Sequence, residues 1–150
     1  MYFEDIEVGS AITVGTYRVE ADEIIDFARR WDPLPVHTSE VDARATSFGG
    51  LTASGAHTMA IRTRLTHLVP IQESVIAAAG WDEVRFHRPL RPGDELSLEV
   101  AWLDKRRSRT KPDRGIVTAG MRVVNQHDEV ILSHRDTIVL KLRVPGTPVS

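Results

Sequence analysis

A change of periodicity near residue 74 constrains the fold of this 150-residue sequence more than any other feature. Before it, residues 54–70 read SGAHTMAIRTRLTHLVP, and their apolar side chains point in most directions of a helix, with only Arg62 and Arg64 strongly polar. After it, three stretches alternate apolar and polar residues as half-buried strands do, at 96–102, 117–123 and 138–142. The sequence therefore predicts an enclosed helix followed by a long antiparallel meander, which is an α+β domain whose sheet curls around the helix.

A shorter amphipathic helix is predicted ahead of the enclosed one, after a short strand near residues 12–18. Apolar side chains follow the helical spacing i, i+3, i+4, i+7 at Ile24, Phe27, Ala28 and Trp31. This helix must end by Trp31, because Pro33 disfavours the helical conformation for the residue before it. Pro35 acts in the same way on its own neighbour, so we predict a rigid loop, and no helical turn, from Asp32 to His37.

The loop WDPLPVH holds a carboxylate and an imidazole five residues apart, Asp32 and His37, with no polar side chain between them. Two titratable groups held close together can share one water, with one removing its proton and the other delivering a proton elsewhere. The two prolines favour this interpretation, since catalysis needs preorganised groups. The alternative is structural: Asp32 caps a turn, and His37 begins the next segment on the surface.

The start of the predicted central helix, Ser54-Gly55, is a second candidate site. Ser54 is expected to be the N-cap, and Pro70 ends the helix. The first N–H groups of a helix have no internal partner, and a glycine lets a ligand oxygen approach them, so this position can stabilise an oxyanion. A capped helix with a glycine in its first turn explains the same residues equally well.

Charge is distributed unevenly although the net charge is only −2. Residues 1–50 hold ten acidic and four basic side chains, whereas residues 85–114 hold nine basic and five acidic ones. A basic patch on a nearly neutral protein suits a small anionic ligand better than a nucleic acid. The basic hairpin from Lys105 to Arg114 is therefore either a clamp for phosphate groups or a solvated turn.

Composition excludes several classes of protein. Cysteine is absent, which removes disulfides, thiolate catalysis and cysteine-based zinc sites. The remaining histidines lack metal-ligand spacing, so no metal is assigned, and His57 is expected to be a packed or hydrogen-bonded core residue. No apolar run approaches the roughly 20 residues of a membrane span. The N-terminus does not resemble a signal peptide, and we expect a cytoplasmic protein without membrane association.

Four blocks of the sequence together resemble the MaoC-like dehydratases, the single-hot-dog family that includes the (R)-specific enoyl-CoA hydratases. These blocks are YFEDIEVGS, WDPLPVHTSEVDARATSFGGLTASGAHT, VRFHRPLRPGDEL and VNQHDEVIL. The resemblance runs nearly end to end, and it implies one hot-dog domain over residues 1–150, with an antiparallel sheet wrapped around the long central helix. It also implies a homodimer or a higher homo-oligomer, with active sites at or near the interface.

The resemblance further implies an activity, the addition of water to an enoyl-CoA thioester or its removal. Asp32 and His37 would be the catalytic pair, and Gly55, with Ser54, would bind the thioester oxygen. Thr63, further along the central helix, would support the site. No cofactor is implied, because coenzyme A is part of the acyl-CoA substrate. Candidates for binding its phosphates are Arg85, Arg88, Arg91, Arg106, Arg107 and Arg109.

The loop departs from the family pattern at one position. Many relatives read D-x-N-P-x-H, whereas this chain has Leu34 in place of the asparagine. A polar group that could orient the carboxylate or the substrate is therefore missing. This departure motivates one alternative, an acyl-CoA binding module without catalytic activity. A second alternative is a hot-dog acyl-CoA thioesterase, which would also use an acid and an oxyanion site at the helix start but would release the thiol.

Overall fold

The computed structural model describes residues 1–143, and residues 144–150 of the predicted domain lie outside this range. A single 3-10 turn, Phe3–Asp5, precedes nine helices and strands. In chain order they are β1 (Ala11–Arg18), α1 (Ala21–Trp31), α2 (Pro35–Thr38), α3 (Glu40–Arg44), α4 (Gly55–Thr66), β2 (Val75–Phe86), β3 (Glu95–Arg107), β4 (Arg114–Val124) and β5 (Val130–Lys141).

Helix α1 ends at Trp31, as predicted from the following proline. The prediction of a loop through His37 is wrong, because that residue lies in the short helix α2. Pro35 occupies the first turn of α2, where its fixed φ suits a helix start and its missing N–H removes no helical hydrogen bond. The next helix, α3, is capped as its sequence indicates: the hydroxyl of Ser39 accepts the N–H of Asp42 at 3.1 Å.

The five strands form one antiparallel sheet in the order β1-β3-β4-β5-β2. Strands β3, β4 and β5 are a meander, with Val100 opposite Met121 and Met121 opposite His134. Strand β2, which is not among the three predicted stretches, pairs with β5 and not with β3, so it lies outside this meander. The reason is the helix that precedes it: α4 contacts β1 and β3, and the chain leaves it for the opposite edge of the sheet.

The core lies between α4 and the concave face of the sheet, and the predicted alternation is confirmed on each central strand. Side chains facing the helix are almost fully buried. They are Leu96, Leu98, Val100 and Trp102 on β3, and Val117, Ala119, Met121 and Val123 on β4. Ile61 and Leu65 of α4 belong to the same cluster. Each large aliphatic side chain buried there contributes roughly 1.5–3 kcal/mol, and this helix within its sheet is the expected α+β hot-dog arrangement.

Helix α4 is not enclosed on all sides within this chain, contrary to the prediction. Its small residues Ala56 and Ala60 face outward, whereas Arg62 is only 2% exposed. The guanidinium of Arg62 forms an ion pair with Asp136 of β5, and its carbon lies 5.0 Å from the centroid of the Trp81 ring. The charge of Arg62 can therefore lie in the core, because the buried carboxylate of Asp136 on the sheet balances it.

His134 gives this core a dependence on pH. It is 4% exposed, and burial together with the charge of Arg62 lowers its pKa below the ordinary 6.5. The folded protein keeps the ring neutral where the unfolded chain takes up a proton, so this residue's contribution to stability is lost as pH falls below about 6.5. Urea unfolding at several pH values should show a smaller loss on acidification for His134→Phe than for wild type. The exposed His67→Phe is the matched control and should follow wild type.

None of the helices within residues 1–143 is long and apolar enough to cross a membrane.

Candidate active site

The structure brings Asp32 and His37 together beside the start of α4. Asp32 is the residue that follows α1, and His37 lies one turn into α2. The Nε2 atom of His37 is 3.6 Å from Oδ2 of Asp32, with the side chains 13% and 35% exposed. This separation is too long for a direct hydrogen bond. Both groups therefore keep a polar atom available to a third molecule.

The tautomer of His37 is fixed by the backbone of Thr52. The Nδ1 atom of the ring lies 2.6 Å from the carbonyl oxygen of Thr52, and a carbonyl can only accept a hydrogen bond. Nδ1 therefore carries the proton, and Nε2 of the neutral ring has a free lone pair directed toward Asp32. The site thus presents two acceptors side by side, an imidazole nitrogen and a carboxylate oxygen.

Ser54 occupies the N-cap position of α4, as predicted, but its side chain does not cap the helix. Its hydroxyl makes no hydrogen bond to the first turn of the helix and donates instead to Oδ2 of Asp32, at 2.7 Å. A hydrogen bond to a carboxylate is charge-assisted, which makes Asp32 a strong partner for the hydroxyl hydrogen. The side chain of Ser54 therefore leaves the first N–H groups of α4 uncapped.

A cavity of about 350 Å³ opens next to the pair. His37 and Gly55 line it, and so do the largely apolar side chains of Phe48, Phe86 and Leu90. Such a chamber excludes water from bound groups and strengthens electrostatic interactions within it.

The ring of Phe86 packs against Gly55 at the start of α4. A Cβ added to Gly55 would lie 3.0 Å from Cζ of Phe86 and 3.3 Å from two further ring atoms. Phe86 is the last residue of β2, so the edge strand forms one wall of the cavity at the start of α4. The sequence did not single out Phe86 or Thr52, since nothing in either residue type marks it as part of a site.

Thr63 does not reach this cavity. It lies eight residues beyond Gly55, about 12 Å along the helix. Its exposed hydroxyl donates to the carbonyl of Met59 at 2.9 Å, which is a contact within the helix itself. The predicted supporting role of Thr63 therefore has no direct contact within this chain to the Asp32–His37 pair.

Of the three arginines nearest the cavity, only Arg88 lines it, and its Nη1 lies 2.8 Å from Oε2 of Glu129. Arg85 donates to the carbonyl of Val84. Arg91 donates to the carbonyls of Phe48 and Gly50, and so braces the loop that carries one cavity wall.

The other candidate arginines lie at the opposite end of the sheet. Arg106 and Arg107 end β3, and Arg109 follows in the turn to β4, whereas the cavity lies near the start of β3. A strand of 13 residues spans about 40 Å. The structure therefore does not bring these three residues to the Asp32–His37 pair of the same chain.

A second polar cluster lies on another side of α4 and confirms His57 as a hydrogen-bonded core residue. His57 is 3% exposed, stacks on Phe27 and places Nε2 at 2.9 Å from Oε1 of Glu23. The hydroxyl of Tyr17 donates to the same oxygen at 2.7 Å, and burial with this contact raises the pKa of Tyr17 to about 12. Glu23 thus joins β1, α1 and α4.

A long helix inside an antiparallel sheet is the hot-dog fold, and this protein adds an acid and an imidazole beside the helix start. The family model described as the MaoC like domain matches residues 7–125 of this chain. The chain belongs to the MaoC-like dehydratase family.

Three proteins illustrate the similarity. A MaoC-like dehydratase from Rhodospirillum rubrum is 40% identical, with a TM-score of 0.89 over 96% of this chain and 99% of that chain. The 3-hydroxybutyryl-CoA dehydratase of Methylorubrum extorquens is 32% identical over 115 residues, 74% of this chain and 71% of that protein. A Mycobacterium tuberculosis protein with a double hot-dog fold is 16% identical, with a TM-score of 0.80 over 99% of this chain and 46% of that one.

Proposed function

We propose that this protein adds water to the double bond of a 2-enoyl-CoA thioester, or removes it in the reverse direction. One observation carries the proposal: the carbonyl of Thr52 fixes His37 so that its free lone pair lies beside the carboxylate of Asp32. Two adjacent acceptors match the two hydrogens of one water molecule. Such a pair activates water without a metal ligand set.

The reaction then follows from the positions of the groups. The water oxygen attacks the β-carbon, and its proton passes to the Asp32–His37 pair, which delivers a proton to the α-carbon. Charge builds on the thioester oxygen meanwhile, and we expect the backbone N–H of Gly55, at the positive end of α4, to stabilise it. The pair acts as one unit, so base and acid are not assigned to separate residues.

The substrate class is supported by a relative and by the cavity. The Methylorubrum extorquens relative is a 3-hydroxybutyryl-CoA dehydratase, which acts on a four-carbon acyl thioester. The apolar cavity of about 350 Å³ suits an acyl group of that scale. Arg88, at its margin, and Arg85 are the proposed contacts for the coenzyme A phosphates, and no separate cofactor takes part in the proposed reaction.

We also propose that two copies of the chain pair through the edge strand β2. One edge of β2 has no strand beside it within the described residues. Trp81 and Phe86 on this strand are 47% and 54% exposed. A free strand edge with exposed aromatic side chains favours pairing with a second strand. Because Phe86 is also a cavity wall, such pairing would place the active site near the interface.

The test is product analysis with crotonyl-CoA. Loss of the enoyl-thioester absorbance together with formation of 3-hydroxybutyryl-CoA, without free thiol, is the expected result. Release of free thiol would instead establish a thioesterase. No product from crotonyl-CoA or from a panel of longer and branched enoyl-CoAs, together with measurable binding, would identify a binding module and contradict the proposal.

Gly55→Ala tests the oxyanion position. The added methyl group meets the ring of Phe86, which is half exposed and can swing away, so the free energy of unfolding should change little. The methyl group also blocks the approach of the thioester oxygen, and we expect kcat/KM to fall by about a hundredfold, the usual effect of losing an oxyanion donor. Adding Phe86→Ala should not restore the rate. Full recovery in that double variant would show that only the ring contact mattered.

A further inference from the structure

We infer that Ser54 is a positioning residue, which acts by orienting the carboxylate of Asp32 and not by binding the thioester oxygen. The catalytic part of this role depends on the proposed function. The orientation of the carboxylate depends on one contact, the 2.7 Å hydrogen bond from the Ser54 hydroxyl to Oδ2 of Asp32.

The loop that carries Asp32 offers this carboxylate no other support. The four residues after it are Pro33, Leu34, Pro35 and Val36, none of which has a polar side chain. The ring of His37 presents an unprotonated nitrogen to the carboxylate and so cannot donate to it when neutral. Within residues 1–143, Ser54 is the only side chain that donates a hydrogen bond to Asp32.

Ser54 is itself held firmly. It is 1% exposed, and its carbonyl accepts both the N–H and the hydroxyl of Thr58, at 3.0 and 3.2 Å. These two hydrogen bonds fix Ser54 to the first turn of α4. The carboxylate at the end of α1 is thereby tied to the start of α4, next to the N–H of Gly55. One hydroxyl therefore sets the distance between the proton-transfer groups and the oxyanion position.

The direction of the hydrogen bond decides the role of Ser54. A hydroxyl has one hydrogen, and here that hydrogen is directed at Asp32, so it is not available to a thioester oxygen. The bond engages Oδ2, the same oxygen that lies 3.6 Å from Nε2 of His37, and this oxygen has a second lone pair that can accept from water. A carboxylate that rotates freely would spend part of its time turned away from His37. The hydroxyl thus supplies the orienting contact that Leu34 cannot.

A double-mutant cycle on turnover tests this role, using wild type, Ser54→Ala, Asp32→Asn and the double variant. Ser54→Ala should lower kcat at least about tenfold, since small misplacements of a reacting group have effects of this size or larger. KM should stay within about twofold, because the hydroxyl does not touch the substrate in this role. In the Asp32→Asn background the same change should have less than a twofold effect. A second tenfold fall there would overturn the inference and return Ser54 to the thioester oxygen.

A double-mutant cycle on urea unfolding, with wild type, Ser54→Ala, Asp32→Ala and their double variant, tests the contact without any enzymatic assay, because alanine removes the acceptor that asparagine would keep. The double variant should lose less stability than the sum of the two single variants, whereas additive losses would overturn the inference even if hydratase activity is found. A wild-type protein that turns over no enoyl thioester would refute the proposed function and the catalytic role together, while coupled unfolding would still report the contact. Ser74→Ala is the matched control: Ser74 is fully buried and hydrogen-bonded to the carbonyls of Met1 and Ile71, and its loss should not change kcat.

Discussion

Asp32→Asn should lower turnover of crotonyl-CoA by about a hundredfold or more, the usual contribution of a general acid–base group. Asparagine has the shape of aspartate, and its amide oxygen can still accept the hydroxyl of Ser54, so the loop should keep its conformation. The amide cannot take up a proton from water. His37→Ala should cause a loss of similar size, and the double variant should be little slower than either single one, because the two residues act as a unit. Initial rates from the enoyl-thioester absorbance measure all three.

Asp26→Asn is the control for this series. Asp26 lies on α1, the helix that Asp32 follows, and its side chain is exposed. It should keep wild-type turnover, and all of these proteins should share one unfolding midpoint to within small differences. An Asp32→Asn protein that retained a large part of the wild-type rate would rule out the shared-water mechanism.

Asp136→Leu should reduce the free energy of unfolding by roughly 3–5 kcal/mol, because it leaves the charge of Arg62 buried without a partner. The two side chains are only 5% and 3% exposed. Replacing both, as Arg62→Met with Asp136→Leu, should recover most of that loss, since an apolar pair of similar volume needs no ionic partner. Urea unfolding of the two variants and wild type gives the comparison.

The exposed ion pair between Arg122 and Glu99 provides the control for the buried one. It joins neighbouring strands at 3.2 Å, with side chains 54% and 37% exposed. Glu99→Gln should cost less than about 1 kcal/mol, as surface ion pairs usually do. If Asp136→Leu were equally mild, the charge of Arg62 would have to be compensated by another group.

Local sequence pattern was sufficient for most of the fold. The alternation along β3, β4 and β5 depends only on one buried face per strand, so each strand could be assigned from its own residues. The end of α1 at Trp31 depends on Pro33, its near neighbour. The pairing of β2 with β5 depends on the path of α4 across the sheet, and no short stretch of sequence encodes that path.

In the candidate active site, too, contacts between residues far apart in the sequence could not be predicted. Asp32 and His37 could be predicted because they lie in one short segment. The partner of Ser54 is 22 residues away, so the hydroxyl looked like an ordinary helix cap. No residue near Arg62 in the sequence indicated its buried partner, because Asp136 lies 74 positions further along the chain. The charge of residues 105–114 indicates an anionic ligand. It does not indicate which end of the 13-residue strand β3 lies near the cavity.

In the proposed reaction, the closeness of Asp32 and His37, 3.6 Å apart, also determines stereochemistry. In the proposed reaction both groups act on the same face of a flat alkene, while the ring of Phe86 packs against Gly55 at the start of α4. Hydroxyl and hydrogen would therefore be added in the syn sense, and a single enantiomer of the 3-hydroxyacyl thioester would be formed. In deuterated water, the label at the α-carbon would have one fixed configuration relative to the new alcohol.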